Sequence, residues 1–204
     1  RVMILTDGKV EFEYIHPEDL WVYNKLQLSR VLGYKCGPVG LDVPNPDFYV
    51  VRPVVNFLGM SRNARIMWLN GSTDFIHPGE FWCEVHKGEH LTVDFRNMQS
   101  SLVVRGFRDE KNPLYKWDMW EKVDREVEFP EVLKELGQKY EWINCEFIDG
   151  KLIEVHIRQN PDFRHGNTVA VPIWKDDETH HESIYADYDY IDDKDYYRNG
   201  FYIK

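Results

Sequence analysis

The 204-residue chain carries 35 acidic against 25 basic side chains, a formal net charge of −10, and is 43% hydrophobic and 15% aromatic. That length and apolar content suit one domain with a real core, or a compact domain with a small appendage. The acidic balance argues against nucleic-acid binding, which needs a basic footprint, and no apolar run is long enough to span a membrane or reads as a signal peptide. Three widely spaced cysteines, Cys36, Cys83 and Cys145, form no CxxC pair. They read as buried, reduced thiols in a cytoplasmic setting. The first residue is Arg1, so the native start is expected upstream.

In chain order, VMILTDGKVEFEYI predicts two strands around a turn at Asp7-Gly8. HPEDLWVYNKLQLSRVLGY predicts a helix. Pro17, Glu18 and Asp19 suit its first turn, Leu20, Tyr23, Leu28 and Val31 share a rough face, and Gly33 marks its stop. KCGPVGLDVPNPD is too rich in Gly and Pro for regular structure, and FYVVRPVVNF is a β-branched run in which Pro53 marks a bulge or an end. GEFWCEVHKGEHLTVDFR predicts two strands around Lys87-Gly88, and SSLVVRGFR another. The segment from Asp109 to Glu128 has no clear pattern. PEVLKELGQ predicts a short helix with Pro130 at its start and Gly137 at its end. From Trp174 onward the chain is dense in Asp and Tyr; it reads as an extension, 174–204, wrapped on a domain of residues 1–173, and includes His180-His181 beside Glu182.

NCEFIDGKLIEVHIR, residues 144–158, is the most informative stretch. Asn144, Glu146, Glu154, His156 and Arg158 alternate with Cys145, Phe147, Ile153, Val155 and Ile157 on either side of Asp149-Gly150. The period of two predicts a hairpin. A three-residue loop with Gly150 in the left-handed position would put the even-numbered residues of both arms on one surface. Two carboxylates within reach of each other repel unless a cation lies between them, and Mg2+ takes oxygen ligands of this kind. A neighbouring arginine suits a phosphate on that metal. A solvated charged face is the plainer alternative.

A phosphate-bearing ligand needs local positive charge despite the acidic total. Lys25, Arg52, Arg62, Arg65, Arg105 and Arg158 each sit on or beside a predicted strand or loop. Arg52, inside an apolar run, requires a partner, and a structural ion pair is the alternative to a ligand. GMSRNA offers backbone N–H groups that suit phosphate, although it matches neither standard phosphate-loop pattern.

Taken in order, these pieces resemble the ATP-grasp superfamily, which joins carboxylates to amines or thiols through an acyl phosphate. YNKLQLSRVLGYKCGPVGLDVP resembles that family's Asp/Asn-Lys helix and following loop, with Lys25 at its first ATP-contacting lysine. YVVRPVV resembles the strand that carries the second lysine, with Arg52 in its place. GMSRNARIM falls where a glycine-rich loop covers the phosphates, which implicates Gly59, Ser61, Arg62 and Asn63. FWCEVHKGEHLTVDF resembles the adenine- and ribose-binding segment, with Glu84 and Lys87 in that region and His90 where the family has a second glutamate. Glu146 followed by IEVHIR resembles the closing metal motif, which implies Glu146, Glu154 and His156 as metal ligands, His156 standing where asparagine is usual.

The resemblance covers roughly residues 20 to 165 and implies an α+β fold of antiparallel sheets with few helices, nucleotide held between two sheet layers. It implies ATP and Mg2+ as cofactors, a carboxylate–amine ligase activity on small-molecule or peptide substrates, and Arg105 or Arg158 holding the carboxylate being activated. The departures at positions 52, 90 and 156 leave an alternative: an ATP-grasp-derived binding protein without catalysis, with the Tyr-rich tail as a surface for a protein partner.

Overall fold

The structure, a computed structural model, describes residues 14–55, 63–176, 185–194 and 198–204. The strands expected around Asp7-Gly8, the loop residues Gly59, Ser61 and Arg62, and the His180-His181 pair lie outside these residues. Among the described residues, two antiparallel sheets hold the strands. The smaller contains β1 (Cys36–Pro38), β2 (Asp47–Pro53), β3 (Arg65–Leu69) and β4 (Glu80–Glu84), in the order β1-β4-β2-β3. The larger contains β5 (His90–Arg96), β6 (Gln99–Phe107), β7 (Met119–Lys122), β8 (Trp142–Ile148), β9 (Lys151–His156), β10 (Val169–Trp174), β11 (Asp189–Ile191) and β12 (Arg198–Ile203). Its order is β11-β12-β10-β7-β6-β5-β8-β9. Among the described residues, no helix is long and apolar enough to cross a membrane.

The helix expected from Pro17 to Gly33 is broken in two. A 3-10 helix, Pro17–Tyr23, gives way at Asn24 to α1 (Lys25–Val31). Asn24 has extended backbone, and its side chain accepts from the Gln27 N–H, so a capping residue restarts the helix. This break makes Lys25 the first helical residue. Tyr23 and Leu28 are buried as the periodicity predicts and Leu20 is half-buried, whereas Val31 is exposed and Val22, off the predicted face, is buried. Gly33 does end the helix, at φ +75. The segment read as loop from Lys35 contains β1, too short to register as a period. Gly137 does not stop the second helix but lies inside α2 (Lys134–Lys139), where an added Cβ would fall 2.4 Å from Met98 Cγ. Close approach, not backbone freedom, explains that glycine.

The strands around Lys87-Gly88 do form, but β4 and β5 lie in different sheets, so this connection is the crossing between layers. Gly88 lets the crossing touch the β8–β9 turn: a Cβ there would meet Asp149 Cβ at 2.6 Å. The acidic C-terminal segment supplies β11 and β12. Ala170, Phe201 and Ile203 form a small core, and Tyr185 stacks on Tyr202 at 4.8 Å.

The main core covers one face of the larger sheet. Leu91, Val93, Phe95, Cys145, Phe147 and Val155 pack there with Val22, Leu28, Leu133 and Leu136. A second core of Tyr49, Val51, Leu69 and Trp82 lies on one face of the smaller sheet. α1 packs against β1, β4 and β9 and so joins the sheets while covering the edge strand β9. Cys83 and Cys145 are buried and Cys36 is half-buried; all three are free thiols.

The 3-10 helix is fastened to α2 by one buried carboxylate. Asp19 accepts from Lys139 Nζ at 2.8 Å and from the Tyr140 hydroxyl at 2.9 Å. Burial would raise its pKa, but these two hydrogen bonds and the Lys139 charge lower it further than burial raises it. A carboxyl depressed in the folded state contributes stability above its ordinary value, and that contribution is lost as pH falls through the lower folded value. Asp19→Asn should therefore cost about 1.5–3 kcal/mol at pH 7 by urea denaturation. The difference from wild type should shrink as the pH is lowered below about 4. A gap independent of pH would show that Asp19 acts through packing alone.

Candidate functional site

The hairpin of β8 and β9 places Asn144 opposite His156 and Glu146 opposite Glu154, the even-with-even pairing expected. The means differ from the expected three-residue loop. The turn is the two-residue pair Asp149-Gly150, with φ values of 50 and 74. The register is restored by a bulge: Phe147 pairs with Leu152 and Glu146 with Glu154, which leaves Ile153 as the extra residue. A bulge frees a backbone group from the ladder, and here the Ile153 carbonyl accepts from Arg52 Nη2 at 3.2 Å. Arg52, buried on β2, thus reaches from the smaller sheet to β9. Its partner is a carbonyl, not the carboxylate anticipated, and its guanidinium also lies 5.4 Å from the Phe81 ring centroid.

Lys25, the first residue of α1, meets the same hairpin. Its Nζ lies 2.7 Å from Glu154 Oε2, and both side chains are almost fully buried, at 3% and 5% exposure. Burial pushes the Lys25 ammonium down; Glu154 opposes this and Arg52 adds to it. Burial would raise the Glu154 carboxyl, yet Lys25 and His156 together hold it well below the ordinary carboxylate range. The second Glu154 oxygen, Oε1, lies 3.2 Å from His156 Nε2. Glu146 Oε2 lies 3.3 Å from His90 Nε2, and the His90 ring packs against Trp117 and Trp120. One donor atom from each of Glu146, Glu154 and His156 falls within 4.8 Å of the others.

β5 adds residues the motif comparison did not assign. Thr92 pairs with Glu146 and Asp94 with Asn144, so both share the face of the hairpin carboxylates. Asn144 Nδ2 donates to Asp94 at 2.8 Å, and the Asn160 N–H donates to both Asp94 oxygens at 2.9 and 3.0 Å. Burial raises the Asp94 carboxyl, against these hydrogen bonds and the nearby charges of Arg158 and Arg164. Arg158 is therefore close to this end of the face, and it donates to the Gln159 carbonyl at 3.0 Å. The sequence did carry the pattern: His90, Thr92 and Asp94 alternate with Leu91, Val93 and Phe95.

Other expected residues are not brought to this cluster. Arg105 pairs in register with Leu91 and Glu121, which puts it on the opposite face of the sheet. There it is held by Glu121 at 3.2 Å and Glu89 at 3.8 Å. Arg65 is engaged by both oxygens of Glu80 at 2.8 and 2.9 Å. Glu84 accepts from the Lys35 N–H at the β1 side of β4, and Lys87 is exposed. Asn63, at φ 64, turns the chain into β3, and its carbonyl accepts from Arg65.

Lys25 and Glu154 should behave as one unit. Lys25→Met leaves a buried carboxylate without its ammonium and should cost about 3–5 kcal/mol in urea denaturation. The Lys25→Met/Glu154→Leu double variant should cost clearly less than the sum of its singles. Additive losses would show that the two charges are stabilised independently.

No known protein-family profile matches the chain, and no curated protein matches it in sequence. Solved structures do resemble it. One is an Archaeoglobus fulgidus protein ascribed to the ATP-grasp superfamily, with 10% identity, a TM-score of 0.48, and coverage of 90% of this chain and 64% of that one. Another is an L-amino acid ligase from Bacillus licheniformis, with 13% identity, a TM-score of 0.45, and coverage of 69% and 41%. A third is the ATP-grasp ligase PsnB with minimal precursor, Mg and ADP, with 14% identity, a TM-score of 0.42, and coverage of 74% and 55%. The chain spans 41 to 64% of the length of these three structures.

Proposed function

We propose that the chain binds ATP with a divalent cation and acts as a carboxylate–amine ligase through an acyl phosphate. One observation carries this reading: two buried cations, Lys25 of α1 and Arg52 of β2, converge on the hairpin that bears the donor set Glu146, Glu154 and His156, Lys25 on Glu154 itself and Arg52 on the neighbouring Ile153 carbonyl. A polyphosphate–metal ligand needs that pairing of cationic groups with carboxylates, and folding stability alone gains little from buried charge. The donor set fits a divalent cation. Two strands hold the carboxylates opposite each other, and Lys25 and His90 support one carboxylate each. When bound, the cation would supply charge neutralisation at the phosphates.

In the proposed reaction a carboxylate oxygen of the acid attacks the γ-phosphorus and ADP departs. The amine nitrogen then attacks the acyl carbon, phosphate departs, and the amine gives up a proton. Lys25 and Arg52 would neutralise the triphosphate, and His90 would contribute to the nucleotide end. Arg158 would hold the carboxylate. Arg105, on the other face, takes no part. The substrates would be small-molecule or peptide acids and amines.

A second reading is a nucleotide- or protein-binding descendant without turnover, with the Tyr-rich C-terminal segment as its partner surface. It is favoured by the cations' existing engagement, Lys25 with Glu154 and Arg52 with Ile153.

Thermal unfolding with and without Mg-ATP tests the shared core of both. At about 100 times its dissociation constant, a ligand of the folded state adds about 2.7 kcal/mol. Wild type should show a magnesium-dependent rise in midpoint on adding ATP, and Glu154→Ala should not, each compared with its own ligand-free midpoint. Equal shifts in both proteins would remove Glu154 from the site. ADP release with a panel of acids and amines then separates ligase from binding protein.

A further inference from the structure

The donor set has a composition that Mg2+ does not favour. Mg2+ is a hard ion that takes near-octahedral oxygen ligands and keeps several waters. Here one of the three side chains is an imidazole, buried and fixed on β9 two residues from Glu154 on the same face. The arrangement around it is built. Glu154 presents Oε2 to Lys25 and Oε1 toward His156 Nε2, so the ammonium occupies one carboxylate oxygen and leaves the other on the His156 side. Glu146 is oriented by His90 Nε2. The His156 ring is itself positioned edge-on to Tyr23, with centroids 6.0 Å apart, and the Tyr23 hydroxyl accepts from the Ile157 N–H at 2.9 Å. Imidazole nitrogen binds first-row transition ions in preference to Mg2+, while paired carboxylates suit Mn2+ equally well.

We propose that Glu146, Glu154 and His156 form a mixed oxygen and nitrogen site that selects a first-row transition dication of the Mn2+ class over Mg2+, with His156 setting the selectivity. This rests on the assignment of these three residues as ligands but requires no turnover and no nucleotide. Lys25 and His90 are outer partners of the site: each holds a carboxylate and neither supplies a donor to the ion.

Mn2+ alone is the probe. Its binding to the full chain, followed by loss of the free-ion paramagnetic resonance signal, should persist against excess Mg2+ in wild type. His156→Asn should lower the Mn2+ over Mg2+ preference by at least the roughly tenfold that loss of an outer partner costs a metal site. Circular dichroism establishes that the variant is folded. A second readout needs no variant: electron spin-echo modulation of bound Mn2+ in wild type should show coupling to an imidazole nitrogen. An unchanged preference in folded His156→Asn, bound Mn2+ without nitrogen coupling, or no Mn2+ binding would each overturn the proposal. Protection by Mg-ATP without nitrogen-coupled Mn2+ would overturn it while leaving the nucleotide site standing. Nitrogen-coupled Mn2+ without ATP protection would do the reverse.

Discussion

The contact between Lys25 and Glu154 fixes α1, the helix that joins the two sheets, on the edge of the larger one. Each charge alone in that position would be expensive, because burial withdraws it from water with no compensating field. Together they hold the Glu154 carboxylate ionised and fix the first residue of α1 against β9, the edge strand of the larger sheet. Arg52 makes a second tie a short distance away, to the carbonyl that the Ile153 bulge frees. A bulge that rotates the register by one residue thus does two things: it aligns Glu146 with Glu154, and it supplies the acceptor that anchors the smaller sheet. These local events, the Asn24 cap and the β9 bulge, decide whether cations and carboxylates converge.

The surface so formed is acidic at its centre and cationic at its margins. Glu146 and Glu154 lie opposite each other with His156 beside them, while Lys25, Arg52 and Arg158 approach from α1, β2 and the end of β9. Thr92, Asp94 and Asn144 extend the same face, and their hydrogen bonds link β5 and β8 to the segment at Asn160. Polar groups held this tightly at one place are the basis of the proposed phosphate and metal ligand. The chain's net charge of −10 does not oppose that proposal, because the field at a ligand there would be set by the nearest groups within a Debye length.

Much of this is legible in the sequence. The period of two in residues 144–158 gave the hairpin and the shared face of Glu146, Glu154 and His156, and the apolar setting of Arg52 marked it as needing a partner. The loop was misread because a bulge and a three-residue turn produce the same parity, and only backbone geometry separates them. Arg105 is expected, with Arg158, to hold the activated carboxylate; its register with Leu91, an odd-numbered residue of β5, sets it on the other face. Asp94 shares the visible alternation of β5, but no family motif covers it. Gly137 looked like a helix stop because the contact with Met98 that demands a glycine is remote in sequence. The edge role of the Tyr-rich segment was hidden for the same reason: pairing of β12 with β10 is non-local.

The most direct test of the central claim, that the two layers close around a nucleotide and its cation, is a crystal structure with a non-hydrolysable ATP analogue and Mn2+, the ion located by its anomalous scattering. The account predicts an anomalous peak bounded by Glu146, Glu154 and His156, with the phosphates beside Lys25 and Arg52. A nucleotide bound elsewhere, or a metal peak away from these three side chains, would contradict it.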